Sequence, residues 1–163
     1  NTLFPQLCAI EAVTLAVCER EGHAGNWWRR LPAYRDAVDE AYAILASLQL
    51  GRDCTRVTRE LAYGQQRLLE ISLALAARPK VLLLDEPAAG VPRGESAALF
   101  QAIAGLPADI TVFFIEHDMD IVFKFASRII VLVGGRVLVE GAPTEIASDQ
   151  RVREVYLGHG KHG

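Results

Sequence analysis

Beyond Pro79 the sequence becomes a succession of short apolar runs separated by amphipathic stretches: VLLLD, GESAALFQAIAGL, ITVFFIEH, DMDIVFKFA and RIIVLV. Runs this short suit strands buried on both faces, and the stretches between them have the length and spacing of helices. The alternation predicts βαβ units in a mostly parallel sheet covered by helices, which is an α/β fold. One segment, IIVLVGGRVLVEG, breaks the rhythm and predicts a hairpin turned at Gly134 and Gly135. PTEIASD and QRVREVYLG predict two short closing helices, the second stopped by Gly158, and the terminal HGKHG reads as a frayed end.

The chain before Pro79 has a different texture. CAIEAVTLAVCER places Ile10, Val13 and Val17 on one side of a helix, and YRDAVDEAYAILASLQL does the same with Val38, Tyr42 and Leu45. NWWRRLP, with Gly25 and Pro32, predicts a connector between those helices, and GRDCT predicts another with Gly51 as a C-cap. Two regions follow from the break: residues 1–78, helical, and residues 79–163, α/β.

Composition removes several classes of function. A chain of 163 residues that is 51% apolar and 23% charged has the apolar mass for a globular core of about one domain. Its net charge of -3, from 17 basic and 20 acidic residues, leaves no electrostatic footprint for nucleic acid or an anionic membrane surface. Cys8, Cys18 and Cys54 are odd in number and lack metal-ligand spacing, so they read as small buried hydrophobes in a reducing compartment. The longest apolar runs fall far short of the roughly 20 residues that a membrane helix needs. The start at Asn1, with no basic segment followed by an apolar one, reads as an interior start in a longer polypeptide.

Chemistry enters with the carboxylates. Ligands of open α/β sheets collect beyond the carboxyl ends of the strands, and Asp85 and Glu86 directly follow the apolar run VLLL. One carboxylate suits Mg²⁺ and the other a water; the alternative is an acidic pair that caps the next helix or faces solvent. The run ITVFFIEHD also ends in polar residues, and parallel pairing would bring His117 to the edge that holds Glu86. A structural imidazole is the alternative there.

These residues resemble the ATP-binding subunits of ABC transporters. LAYGQ (Leu61, Ala62, Tyr63, Gly64, Gln65) is similar to their signature motif, and VLLLDE to their Walker B strand with its following catalytic Glu. AAGVP lies where their D-loop falls, and His117 stands at the switch histidine. Within the family, LFPQL, YGQQRLLEI, DEPAAG, IEHDMDIV and VREVYLG resemble the importer ATPases for branched-chain amino acids, and the similarity covers nearly the whole chain.

The resemblance implies a helical subdomain bearing the signature motif over 1–78, then the second half of a P-loop NTPase core with C-terminal helices over 79–163. It implies an ATPase in which Asp85 holds Mg²⁺ through water, Glu86 orients and deprotonates the attacking water, and His117 contacts the γ-phosphate. Leu61 to Gln65 would meet the ATP of a second ATP-binding subunit in a head-to-tail dimer, through backbone N–H groups at the start of a helix. The implied partners are that subunit and membrane permease subunits, with nucleic acid excluded. The implied place is cytoplasmic, peripheral on the inner face of the cell membrane. A permease coupling helix would dock near Leu3 and Phe4, with Trp27 and Trp28 as a further candidate surface.

Three departures qualify this. The usual signature Ser is Ala62, which has no hydroxyl, so its contribution rests on backbone groups and Gln65. Pro92 occupies the place of the D-loop Asp, and no G-x-x-x-x-G-K-[ST] occurs in the sequence. The chain therefore reads as the C-terminal part of an importer ATPase, inactive alone and dependent on an absent segment for ATP and Mg²⁺. The alternative is a short non-hydrolytic module that docks a transporter membrane subunit. An unrelated α/β enzyme using Glu86 and His117 as an acid-base pair is disfavoured by the signature motif.

Overall fold

The computed structural model describes residues 3–23 and 33–157, with the side chain of residue 93 outside the description. The predicted NWWRRLP connector with Trp27 and Trp28, the Gly158 stop and the HGKHG end lie outside those residues. The chain divides into two compact units, residues 1–115 and 116–163. This division falls later than the change of sequence texture at Pro79.

The first unit begins with α1 (Ala9–Arg20), followed by α2 (Arg35–Ser47), α3 (Tyr63–Leu75), β1 (Val81–Asp85), α4 (Arg93–Ala104) and β2 (Thr111–Ile115). Val13 and Val17 of α1 are fully buried, as their spacing predicts. In α2 the buried stripe is Ala37, Ala41 and Leu45, while Tyr42 is 51% exposed and Val38 half-buried. Small residues face α1 there, and the larger Tyr42 turns outward, because close approach of two helices leaves room for alanine. Gly51 does not cap α2: Gln49 takes the left-handed position at φ 62°, with Leu50 N–H donating to Leu45 O and Gln49 N–H to Ala46 O. Gly51 instead opens a short 3-10 turn, Gly51–Asp53. Leu7 and Cys8 run against residues 54–58, where Thr58 N–H and Oγ1 both donate to Leu7 O.

β1 and β2 pair in parallel, in register from Val81↔Thr111 to Asp85↔Ile115, with α4 as the crossover. Leu82 is buried, and Phe100 of α4 meets Phe114 of β2 edge-on at 5.1 Å between centroids. The other face is bare: Val81, Leu83, Phe113 and Ile115 are 47–72% exposed. Within this chain the pair is therefore buried on one face only, the face that meets Phe100 of α4.

The second unit contains α5 (Met119–Phe125), β3 (Ile129–Val133), β4 (Arg136–Gly141), α6 (Pro143–Ser148) and α7 (Gln150–Val152), the last continuing into a π turn, Arg153–Leu157. β3 and β4 form the expected antiparallel hairpin, with Val133 opposite Arg136 and both Gly134 (φ 57°) and Gly135 (φ 75°) left-handed. Two successive positive φ values are what a two-residue type I′ turn demands. Tyr156 Oη donates to Leu132 O at 2.9 Å, fastening the last turn to the hairpin. Ile146 and Val152 are fully buried. Among the described residues no helix is long and apolar enough to cross a membrane.

Candidate functional site

Strand β1 delivers Asp85 and Glu86 to the end of the parallel pair, and both are exposed there. Glu86 N–H donates to Ile115 O at 2.9 Å, so the ladder ends on the residue that the resemblance implies as the base. The backbone of Glu86 is left-handed at φ 43°. For a residue with a Cβ that conformation costs about 1–2 kcal/mol, and such costs gather at functional sites. The turn beyond it is closed by Ala89 N–H to Glu86 O at 2.9 Å and Val91 N–H to Ala88 O at 3.0 Å, and Gly90 has φ 77°.

Helix α3 begins within LAYGQ. Leu61 is buried, Ala62 is the N-cap, and no side chain of Ala62 can bond the first-turn N–H groups. Gln65 compensates from inside the helix: its Oε1 accepts from Ala62 N–H at 3.0 Å, while its Nε2 donates to Asp53 Oδ2 at 2.8 Å. Gln65 thus braces the motif against the 3-10 turn. Gly64 is buried, and a Cβ there would stand 3.1 Å from Oε2 of Glu95 in α4, so a side chain would require the Glu95 carboxylate to give way by a few tenths of an ångström. Tyr63 is 43% exposed rather than packed in the core.

His117 belongs to the second unit and is exposed. It immediately precedes Asp118, whose Oδ1 caps α5 by accepting from Asp120 and Ile121 N–H at 3.1 and 3.4 Å. Pro92 is the N-cap of α4 and is exposed. Phe4 is 64% exposed but Leu3 is buried, so of the two residues expected at a docking surface only Phe4 is presented. The cysteines are free, with Cys18 buried and Cys8 and Cys54 half-buried. Sequence reasoning missed the Gln65 to Asp53 brace, the Glu95 contact with Gly64 and the left-handed Glu86; the Gly-Gln pair in LAYGQ was the available signal for the first two.

A family model described as "ABC transporter" matches residues 1–89, more than half of the chain. The chain belongs to the ABC transporter ATP-binding family. A second model, "Branched-chain amino acid ATP-binding cassette transporter", matches residues 136–162. Similar curated proteins include the high-affinity branched-chain amino acid transport ATP-binding protein BraF of Pseudomonas aeruginosa, 36% identical over 96% of this chain and 64% of its own length. LivG of Escherichia coli K12, of the same description, is 37% identical over 79% of this chain and 53% of its own. The chain thus spans between half and two thirds of the length of these relatives. Among solved structures, an ATP-binding cassette of an ABC transporter superposes with a TM-score of 0.77 at 29% identity, over 96% of this chain and 65% of that one. The ADP conformation of that cassette gives 0.74 at 29% identity, over 95% and 64%. The P-loop NTPase fold class expected from the motifs is the fold of these neighbours.

Proposed function

We propose that this chain is the C-terminal part of the ATP-hydrolysing subunit of an importer for branched-chain or other amino acids, made of its helical subdomain and the Walker B half of its ATPase core. The observation that carries the reading is the strand end where Asp85 and Glu86 stand, with the Glu86 backbone tied to the end of β2. The bare apolar face of Val81, Leu83, Phe113 and Ile115 supports it, since such a face suits further chain packed against it. The names of the relatives support the amino-acid assignment.

Among the described residues no group of three His, Cys, Asp or Glu could hold a metal ion. Asp85, an exposed carboxylate at the end of β1, fits a Mg²⁺ that would be held mainly by phosphate oxygens and waters, with Asp85 reaching it through one of those waters. When bound, Mg²⁺ supplies neutralisation of the charge on the phosphate oxygens. Glu86 orients the attacking water and accepts its proton, and the bond from its N–H to Ile115 O holds the residue at the strand end. His117 contacts the γ-phosphate. The first turn of α3 offers N–H groups to the nucleotide of a second ATP-binding subunit in a head-to-tail dimer. Phe4 is presented to a permease, which keeps the assembly at the inner face of the cell membrane.

In the complete subunit, Glu86→Gln should retain ATP binding, slow turnover by roughly 100-fold or more and trap the nucleotide-bound dimer. Hydrolysis at the unmutated rate would refute the reading. Ala62, which offers no hydroxyl at the N-cap, favours a second reading, a non-hydrolytic docking module. Under that reading the chain assembled with its membrane subunit would hydrolyse no ATP even with Glu86 intact.

A further inference from the structure

The turn that follows Glu86 rests on the first residues of α3, and both lie in the first unit. A Cβ placed on Gly90 would stand 3.2 Å from both Cε1 and Oη of Tyr63 and 3.3 Å from its Cζ. The Tyr63 ring therefore lies close on the Gly90 backbone, and a side chain at position 90 would have to displace it by a few tenths of an ångström. The ring is itself held from the helix side. Arg67 Nη2 donates to Tyr63 Oη at 2.9 Å, its guanidinium carbon lies 5.2 Å from the ring centroid, and its Nη1 is tied to Glu70 at 2.7 Å. One residue further on, the close approach of Gly64 to Glu95 and Val91 seats the other end of the same segment on α3.

Glu86 is four residues from Gly90, across a turn closed by two backbone hydrogen bonds and holding left-handed residues at both ends. Ala89, the neighbour of Gly90, donates its N–H to Glu86 O at 2.9 Å, so a displacement at Gly90 has a short hydrogen-bonded path to the Glu86 backbone. Tyr63 is nearly half exposed, so core filling does not account for its placement.

We propose that Tyr63 is a positioning residue for Glu86: its ring, braced by Arg67, props the Gly90 turn and thereby sets the direction of the Glu86 carboxylate. This rests on Glu86 being the base of the proposed function. It adds to the signature motif a role exerted within the chain, separate from any contact with a nucleotide.

The test uses the complete subunit, with steady-state ATP hydrolysis measured for Tyr63→Ala, Tyr63→Phe, Glu86→Gln and the Tyr63→Ala/Glu86→Gln double variant. A misdirected catalytic group typically costs on the order of 10-fold to 100-fold in rate, so Tyr63→Ala should lower kcat by that factor with KM for ATP changed less than about twofold. Tyr63→Phe, which keeps the ring, should recover most of that loss. In the Glu86→Gln background the further Tyr63→Ala change should lower the residual rate by less than about twofold, because residues that act through one group are not additive. Gly90→Ala, which thrusts a methyl into the ring, should reproduce the kcat loss. An equal loss in both backgrounds would overturn the proposal and assign Tyr63 to fold or nucleotide contact. An unchanged kcat in Tyr63→Ala, with Glu86→Gln inactive, would overturn it while leaving the base intact. A fully active Glu86→Gln would bring down both.

Discussion

Glu40 joins three helices at one point. Arg20 of α1 donates from Nη1 to Oε1 of Glu40 at 2.6 Å and from Nη2 to Oε2 at 2.8 Å. Arg78, just past α3, adds Nε to Oε1 at 3.1 Å and Nη2 to Oε2 at 2.8 Å. The Arg20 bonds, opposed by burial and reinforced by Arg78, hold the Glu40 carboxyl down from its ordinary 4.5 to about 2. Unscreened, a depression of that size would be worth roughly 3 kcal/mol at neutral pH. The Glu40 side chain is 22% exposed and that of Arg78 69%. Solvent screening therefore brings the contribution to about 1–2 kcal/mol. Glu40→Gln removes the charge but does not strand Arg20, which keeps Ala76 O at 2.8 Å and Glu21 Oε1 at 3.0 Å. Because the folded carboxyl titrates below the unfolded one, this stability is complete above about pH 4.5 and is lost as pH falls toward about 2. With a urea slope of about 2 kcal/mol/M, Glu40→Gln should lower the unfolding midpoint at pH 7 by about 0.5–1 M. The gap should close as the pH is lowered through that window. Equal midpoints at pH 7, or a gap that stays constant down to about pH 3, would refute the argument.

Leu45 of α2 is fully buried, so Leu45→Ala should cost about 2–5 kcal/mol in the same urea assay, whereas exposed Tyr42→Ala should cost far less. Calorimetric titration of the isolated chain with Mg-ATP should show no binding, because Asp85 and Glu86 without a phosphate-binding loop present carboxylates to an anion; tight stoichiometric binding would reveal another phosphate site. Ala62→Ser should add an N-cap hydroxyl to α3 and stabilise the chain by about 0.5–1 kcal/mol, read as a rise in Tm.

Much of the architecture was legible because its signals are local. The Gly134-Gly135 pair, the alternation of VLLLD with GESAALFQAIAGL, and the Val13 and Val17 spacing each report on a few consecutive residues, and each appears where expected. Asp85 and Glu86 were legible as a strand-end pair for the same reason: an apolar run stops and two carboxylates follow. The α2 face was misjudged because periodicity marks Tyr42 and Ala41 almost equally well, and only the approach of α1 decides between a large side chain and a small one. The left-handed Gln49 was missed because glycine is the ordinary signal for that conformation.

The sequence alone determined the element order, the hairpin, and the presence of a helix beginning within LAYGQ and a carboxylate-bearing strand, since each depends on side-chain chemistry within one stretch of chain. Tertiary structure alone decided that one face of the β1 and β2 pair is bare, that Gln65 is engaged by Asp53, and that Tyr63 lies on Gly90. Those facts join residues 12 or more positions apart, such as Asp53 with Gln65 and Tyr63 with Gly90. Contacts of that kind are set by how helices and strands pack in space, and no local propensity encodes which side chain will meet which backbone.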